Sequence, residues 1–269
     1  MYPYVHLGPI VLWSYGLMMG IGFLLGFLFG EADFRRRQIP IPMGLFLPAM
    51  VLSGLIGAKL DDAIVRQWHT LGENPLTFNW TALWWGGYTW FGGVLGGIVA
   101  AVTIARIYHV PALKVLDIAP IASLGLACGR MGCFLAGDGD YGIPTSLPWG
   151  MSFPHGIIPT TLRVHPTPLY EITYALIIFV VLWRKGRPES YAKLAPGTLL
   201  AGYLFWTGTC RFFVEFLSRN ARVFAELTEA QWVGIGFISC AILIRVYQAI
   251  TGGVHATCRD PELTAGSPS

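Results

Sequence analysis

Seven apolar stretches, at 9–30, 43–66, 84–108, 116–136, 167–184, 197–217 and 231–250, constrain this chain more than any other feature. A helix needs about 20 predominantly apolar residues to cross the hydrocarbon core of a bilayer, and each stretch approaches that length. Inside lipid every backbone N–H and C=O must find its partner within the segment, which makes such stretches helices. The expected fold is therefore all-α: a polytopic membrane protein with about seven transmembrane helices. Composition agrees. Of 269 residues, 54% are hydrophobic and 12% charged, against about 25% charged in a typical soluble domain. Mean hydropathy is +0.56. An ordinary soluble enzyme and a disordered chain are both excluded. The net charge of +3 provides no basic footprint, so no nucleic-acid partner is expected and the lipid bilayer is.

The first stretch has no basic flank before it and no small-residue cleavage pattern, so it reads as a retained span. Cytoplasmic loops carry the excess of Lys and Arg. Eleven cations flank one side: Arg35, Arg36, Arg37, Arg106, Lys114, Arg184, Lys185, Arg187, Lys193, Arg245 and Arg259. Four flank the other: Arg66, Arg163, Arg219 and Arg222. The N-terminus is thus expected outside and the C-terminus in the cytoplasm. The long connections 67–83, 137–166 and 218–230 then lie outside, where chemistry on loops is expected. Residues 1–251 form one expected membrane domain. Residues 252–269, rich in Gly, Ser, Pro and Thr, read as a disordered cytoplasmic tail.

The cysteines, Cys128, Cys133, Cys210, Cys240 and Cys258, are odd in number and form no CxxC pair, which argues against a disulfide framework or a zinc site. No metal or other cofactor is expected. Small-xxx-small spacing at Gly22, Gly26 and Gly30, and at Gly92 with Gly96 and Gly93 with Gly97, points to close helix packing. The Gly86-Gly87 and Gly92-Gly93 pairs also suit a backbone nest.

Charges inside the spans carry the functional signal: Lys59, Asp61 and Asp62, then Arg130, Glu171, Arg211 and Glu215. A charged residue at a helix centre costs about 2.5–3.5 kcal/mol on insertion scales, so each must pair, face water or bind a polar ligand. Arg211 and Glu215 are four apart and share a helix face; Lys59 and Asp62 are three apart and invite a structural pair. Arg130 has no acid three or four residues away. Its partner must come from elsewhere: Glu215, Glu171 or a bound anion, for which a guanidinium fork is well shaped. Composition alone leaves a lipid-headgroup site and an ion path both open.

The densest polar segment runs Gly129-Arg130-Met131-Gly132-Cys133-Phe134-Leu135-Ala136-Gly137-Asp138-Gly139-Asp140-Tyr141-Gly142. It resembles the signature of bacterial prolipoprotein diacylglyceryl transferases, G-R-x-G-N-F-x-N-x-E-x-x-G. Similar segments follow the family's order: Trp13-Ser14-Tyr15-Gly16, Gly86 to Gly93, Asp117-Ile118-Ala119-Pro120, His165-Pro166-Thr167-Pro168-Leu169-Tyr170-Glu171 and Arg211-Phe212-Phe213-Val214-Glu215-Phe216. The resemblance spans about residues 5–250. It implies an inner-membrane transferase, active toward the outer face. Such an enzyme moves the diacylglyceryl group of phosphatidylglycerol to the lipobox cysteine thiol of preprolipoprotein signal peptides, forming a thioether and releasing glycerol phosphate. The alternatives are a divergent homologue with another lipid or acceptor, or a non-catalytic binder of anionic lipid. Four positions depart from the family pattern: Phe91 stands for a histidine, Cys133 for the signature asparagine and Thr207 for a tyrosine, while Asp138 and Asp140 straddle the acidic position.

What the resemblance implies for residues is a phosphate grip by Arg130 and Arg211, with Glu215 holding Arg211. Tyr15, Tyr170 and Cys133 complete the expected phosphatidylglycerol site. The attacking thiol belongs to the substrate, and a free thiol with a pKa near ~8.5 is only slightly ionised at neutral pH. With Phe91 in place of histidine, the candidate bases are His165, Asp138, Asp140 and Glu171, of which His165 and Asp140 are favoured.

Overall fold

The computed structural model describes residues 2–8, 10–67 and 87–257, and seven long helices carry the architecture. They are α1 (Ser14–Arg36), α2 (Met43–Arg66), α3 (Trp90–Ile107), α4 (Ala122–Ala136), α5 (Thr167–Lys185), α6 (Thr198–Val214) and α7 (Glu229–Thr257). Three two-stranded antiparallel sheets interrupt them: β1 (Tyr4–Leu7) with β2 (Ile10–Trp13), β3 (Met151–Phe153) with β4 (Thr160–Val164), and β5 (Arg222–Phe224) with β6 (Leu227–Thr228). Among the described residues, six segments are long and apolar enough to cross a membrane: α1, α2, α3, Ala112–Ala136, α5 and Glu229–Thr251 of α7. α6 has 17 residues and continues directly into a 3-10 turn, Glu215–Leu217, together covering the stretch expected at 197–217. The all-α polytopic reading therefore stands.

The differences lie at the ends. The first span starts at Ser14 and not at 9, because Ile10–Trp13 pairs with Tyr4–Leu7 as a hairpin. A continuous apolar run this short, Ile-Val-Leu-Trp, cannot be told from the start of a helix by hydropathy. The connection expected at 67–83 lies, beyond Gln67, outside the described residues, as do Gly86 and 258–269 of the expected tail.

The chain divides into two compact units, Phe27–Leu116 and the remainder. In the first, α2 and α3 meet backbone to backbone. A Cβ on Gly57 or Gly92 would land on the other's carbonyl oxygen, and one on Gly96 would land on that of Ser53. Ser53 Oγ donates to the Gly96 carbonyl at 2.7 Å, a link that only close axes permit. The small-residue spacing thus does here what it does in lipid generally, where backbone approach replaces the hydrophobic drive between helices. Gly92 and Gly93 sit inside α3, so their use is helix packing. The charges of α2 are also accommodated. Arg66 NH2 meets Asp62 Oδ2 at 2.5 Å, Thr89 Oγ1 donates to Asp61 at 2.5 Å, and the Lys59 ammonium lies 4.5 Å from the Tyr88 ring centroid.

In the second unit α4 packs on α5, α5 on α6 and α6 on α7. The start of α6 is tied down by Asp117, which is 1% exposed. One of its carboxylate oxygens accepts from Gly197 N and Tyr191 Oη at 2.9 and 2.8 Å, and the other from Leu200 N at 2.9 Å. An acid at this place satisfies otherwise orphaned N–H groups and complements the helix dipole. Asp117→Ala should lower stability by about 1–3 kcal/mol, since one buried and two half-buried donors lose their acceptor. Thermal unfolding of the purified variant reads this out, and an unchanged midpoint would refute the clamp.

Candidate active site

Three helix ends set the site. Arg130 lies in the second half of α4, Glu171 in the opening turns of α5, and Arg211 in the last turn of α6. The antiparallel run of these helices brings their charged residues to one level. Arg130 Nε meets Glu171 Oε2 at 2.6 Å, and Arg211 NH1 binds Glu171 Oε1. Each oxygen of one buried carboxylate therefore takes one guanidinium. Arg130 NH1 also binds Asp140 Oδ2 at 2.5 Å, and Arg211 NH2 binds Glu215 Oε2 at 3.2 Å. The result is a chain of alternating charge: Asp140, Arg130, Glu171, Arg211, Glu215. Glu215 is held further by Asn220 Nδ2 at 2.6 Å and Ser218 Oγ at 2.9 Å.

The acids differ in one property that matters for ligand exchange. The side chains of Glu171 and Glu215 are 4% and 0% exposed, whereas that of Asp140 is 49% exposed. Glu171 and Glu215 are shut away from solvent, and Asp140 is the acid of the cluster that solvent reaches. A cavity of about 330 Å³ opens onto this cluster, its wall including Arg130, Asp140, Glu171, Arg211, Glu215 and Arg219. Three guanidiniums there face three carboxylates.

The loop carrying Asp140 is shaped by glycine. Gly137 caps α4 at φ 61° with its N–H on the Cys133 carbonyl at 2.8 Å, and the chain of Gly156 lies so close that a Cβ on Gly137 would sit 2.6 Å from its Cα. Gly142 passes against Leu217 and His165 with no room for a side chain. Backbone bonds stitch the same three segments together: Gly142 N to His165 O at 2.8 Å, Ile143 N to Leu217 O at 2.9 Å and His165 N to Ile143 O at 3.1 Å. Thr167 Oγ1 donates to the Asp140 carbonyl at 2.6 Å. The stack of Tyr141 on Phe153, with centroids 5.0 Å apart, anchors the loop to the β3–β4 hairpin.

The remaining expected residues fall around this cluster. Cys133, buried in α4, has its thiol within 4.8 Å of carboxylate oxygens of Asp138 and Asp140. Tyr15, near the start of α1, packs on Gly132: a Cβ there would lie 2.9 Å from its ring and 3.2 Å from its Cα. His165 and Tyr170 pair with each other, His165 Nδ1 lying 3.1 Å from Tyr170 Oη. Trp149 Nε1 in turn donates to Tyr170 Oη at 2.8 Å. Neither His165 nor Tyr170 lines the cavity. Phe91 stands on the first turn of α3 with its ring 5.4 Å from that of Trp90.

Two features escaped the sequence. Sequence places Arg219 only among the flanking cations, yet it lines the cavity, its guanidinium 5.5 Å from the Tyr141 ring centroid. Tyr174, one helical turn beyond Glu171, carries a buried hydroxyl without a hydrogen-bond partner among the described residues. Its spacing of three from Glu171 was the available signal.

Apolar spans that share one polar, ion-paired cavity define a multi-pass membrane protein with a site for a charged ligand. The family model for prolipoprotein diacylglyceryl transferase matches residues 3–247. The phosphatidylglycerol–prolipoprotein diacylglyceryl transferase of Nitrosomonas europaea is 31% identical over 254 residues, covering 89% of this chain and 87% of that protein. That of Nitrosospira multiformis is 32% identical over 259 residues, covering 90% and 84%. That of Trichormus variabilis is 30% identical over 249 residues, covering 88% and 86%. The chain belongs to the prolipoprotein diacylglyceryl transferase family.

Proposed function

We propose that this protein transfers the diacylglyceryl group of phosphatidylglycerol to the lipobox cysteine of a prolipoprotein in the bacterial inner membrane. The observation that carries the site reading is the meeting of Arg130 and Arg211 on Glu171. Fixed side by side, the two forks offer parallel N–H donors to one phosphodiester. The distribution of Lys and Arg supports a cavity at the outer face, where the lipobox thiol would enter.

The chemistry then runs through the exposed acid. The headgroup phosphate displaces the Asp140 carboxylate from Arg130, which leaves Asp140 as the proton acceptor beside the incoming thiol. The thiolate sulfur attacks the glyceryl carbon that bears the phosphate oxygen. A C–S bond forms, the C–O bond breaks, and glycerol phosphate departs with that oxygen. Negative charge grows on the leaving oxygen, and the two guanidiniums meet it with preorganised donors. Tyr15, packed on Gly132, and Cys133, beside Asp138 and Asp140, stand behind the cavity wall and not in it. His165, joined to Tyr170 and Trp149, positions the loop whose backbone it bonds and takes no proton from the thiol.

The assay is direct. Purified protein with phosphatidylglycerol and a lipobox peptide should raise the peptide mass by one diacylglyceryl unit. Asp140→Asn should cut the rate at least about a hundredfold, the low end of general-base contributions. His165→Gln, which can still accept from the tyrosine, should cost less than tenfold. The reverse ranking would move the base to His165. An unmodified peptide with the unaltered protein, lipid bound, would favour the binder over the transferase.

A further inference from the structure

A second concavity lies at the other end of α6 from the ion-paired cluster. It is a groove of about 540 Å³ between α6 and α7, walled by Ala201, Phe205, Ile242 and Val246 and also lined by Lys185 and Arg245. Ile242 and Val246 are 53% and 49% exposed, which in a membrane-spanning helix places them against acyl chains. The two cations lack acidic partners. Arg245 NH1 donates to Gln248 Oε1 at 2.9 Å and Thr198 Oγ1 at 3.5 Å, both neutral. Neither it nor Lys185 makes an ion pair among the described residues. From Thr198 to Arg211 the helix rises about 20 Å at 1.5 Å per residue, so the groove and the candidate active site belong to opposite leaflets.

We propose that this groove binds one anionic phospholipid of the leaflet on the basic side, with an acyl chain along α6 and α7 and the phosphate between Lys185 and Arg245. Unpaired cations at the end of a spanning helix find their complement in headgroup phosphate, and an apolar trough beside them fits a chain and no soluble anion. The proposal rests on the bilayer reading of the helices and not on the transfer chemistry.

Native mass spectrometry of the full chain tests it, with dioleoyl-phosphatidylserine and dioleoyl-phosphatidylcholine as probes. The unaltered protein should retain one phosphatidylserine in preference to phosphatidylcholine. Lys185→Gln with Arg245→Gln should weaken phosphatidylserine binding about twenty-five-fold, taking about fivefold for each cation near a membrane surface. Transfer at saturating phosphatidylglycerol should stay within about twofold. Ala249→Trp, which fills the groove and keeps both charges, should weaken retention of either lipid. Equal phosphatidylserine retention by the unaltered and double-variant proteins would overturn the proposal. So would loss of that lipid in Arg211→Lys but in neither groove variant, which would place it in the active-site cavity.

Discussion

Arg211→Lys should lower transfer by about a hundredfold to a thousandfold while the protein still inserts and folds. The size follows from the loss of one preorganised donor at a developing charge, about 3–4 kcal/mol. Arg211 holds Glu171 with one nitrogen and Glu215 with the other, and only a planar fork can do both. Lysine retains the positive charge, so the two buried carboxylates are not left unneutralised. Alanine would leave Glu215 without its cation and Glu171 with Arg130 alone, at a cost of about 3–5 kcal/mol, and a loss of activity would then be confused with unfolding. The measurement is the single-turnover rate of diacylglyceryl transfer to a lipobox peptide, with the thermal midpoint as control. A lysine variant within tenfold of the unaltered rate would refute the two-fork grip.

Gly92→Leu should abolish accumulation of folded protein. The side chain would begin at a point already occupied by the Gly57 carbonyl of the neighbouring helix. No flexible tip is there to swing aside, so the α2–α3 pair must separate and the Ser53 bond to Gly96 must break. Overpacking of an ordinary core costs about 1–3 kcal/mol, and backbone in the way makes the upper end the minimum. Gly26→Leu in α1, where nothing lies within 4 Å of the added atom, should be tolerated. Comparing the two by fluorescence-detected size exclusion from the same membranes decides the matter. Equal monodisperse peaks would show that the helices are not in backbone contact.

That contrast also shows where sequence reasoning stopped. Spacing alone placed Gly22, Gly26 and Gly30 in the same class as Gly92 and Gly96. The first set meets Cys128, open space and Met43 in turn, while the second meets backbone. Periodicity names a face and says nothing of what stands opposite. Spans were legible because lipid demands length and apolarity together, and their ends were not, since the Ile10–Trp13 strand is as apolar as a helix start. At the site, Arg211 with Glu215 followed from a spacing of four. Arg130 with Glu171 required the fold, because 41 positions of chain separate them and only the antiparallel run of α4 and α5 closes the gap. His165 is a candidate base by its place in a matched motif, and sequence does not say what surrounds it. Its partner Tyr170, which Trp149 in turn bonds, is brought to it by the turn at Pro166.

The equality of three guanidiniums and three carboxylates around the cavity has a consequence for turnover. An empty pocket so balanced exerts little pull on stray anions of the surrounding water. On the proposed function, entry is driven by the hydrocarbon tails of the donor, which remain in the bilayer while its phosphate competes with Asp140. Once the tails have passed to the peptide, on the proposed chemistry, the glycerol phosphate keeps only its hold on the guanidiniums, and Asp140, after giving its proton to water, competes with it for Arg130.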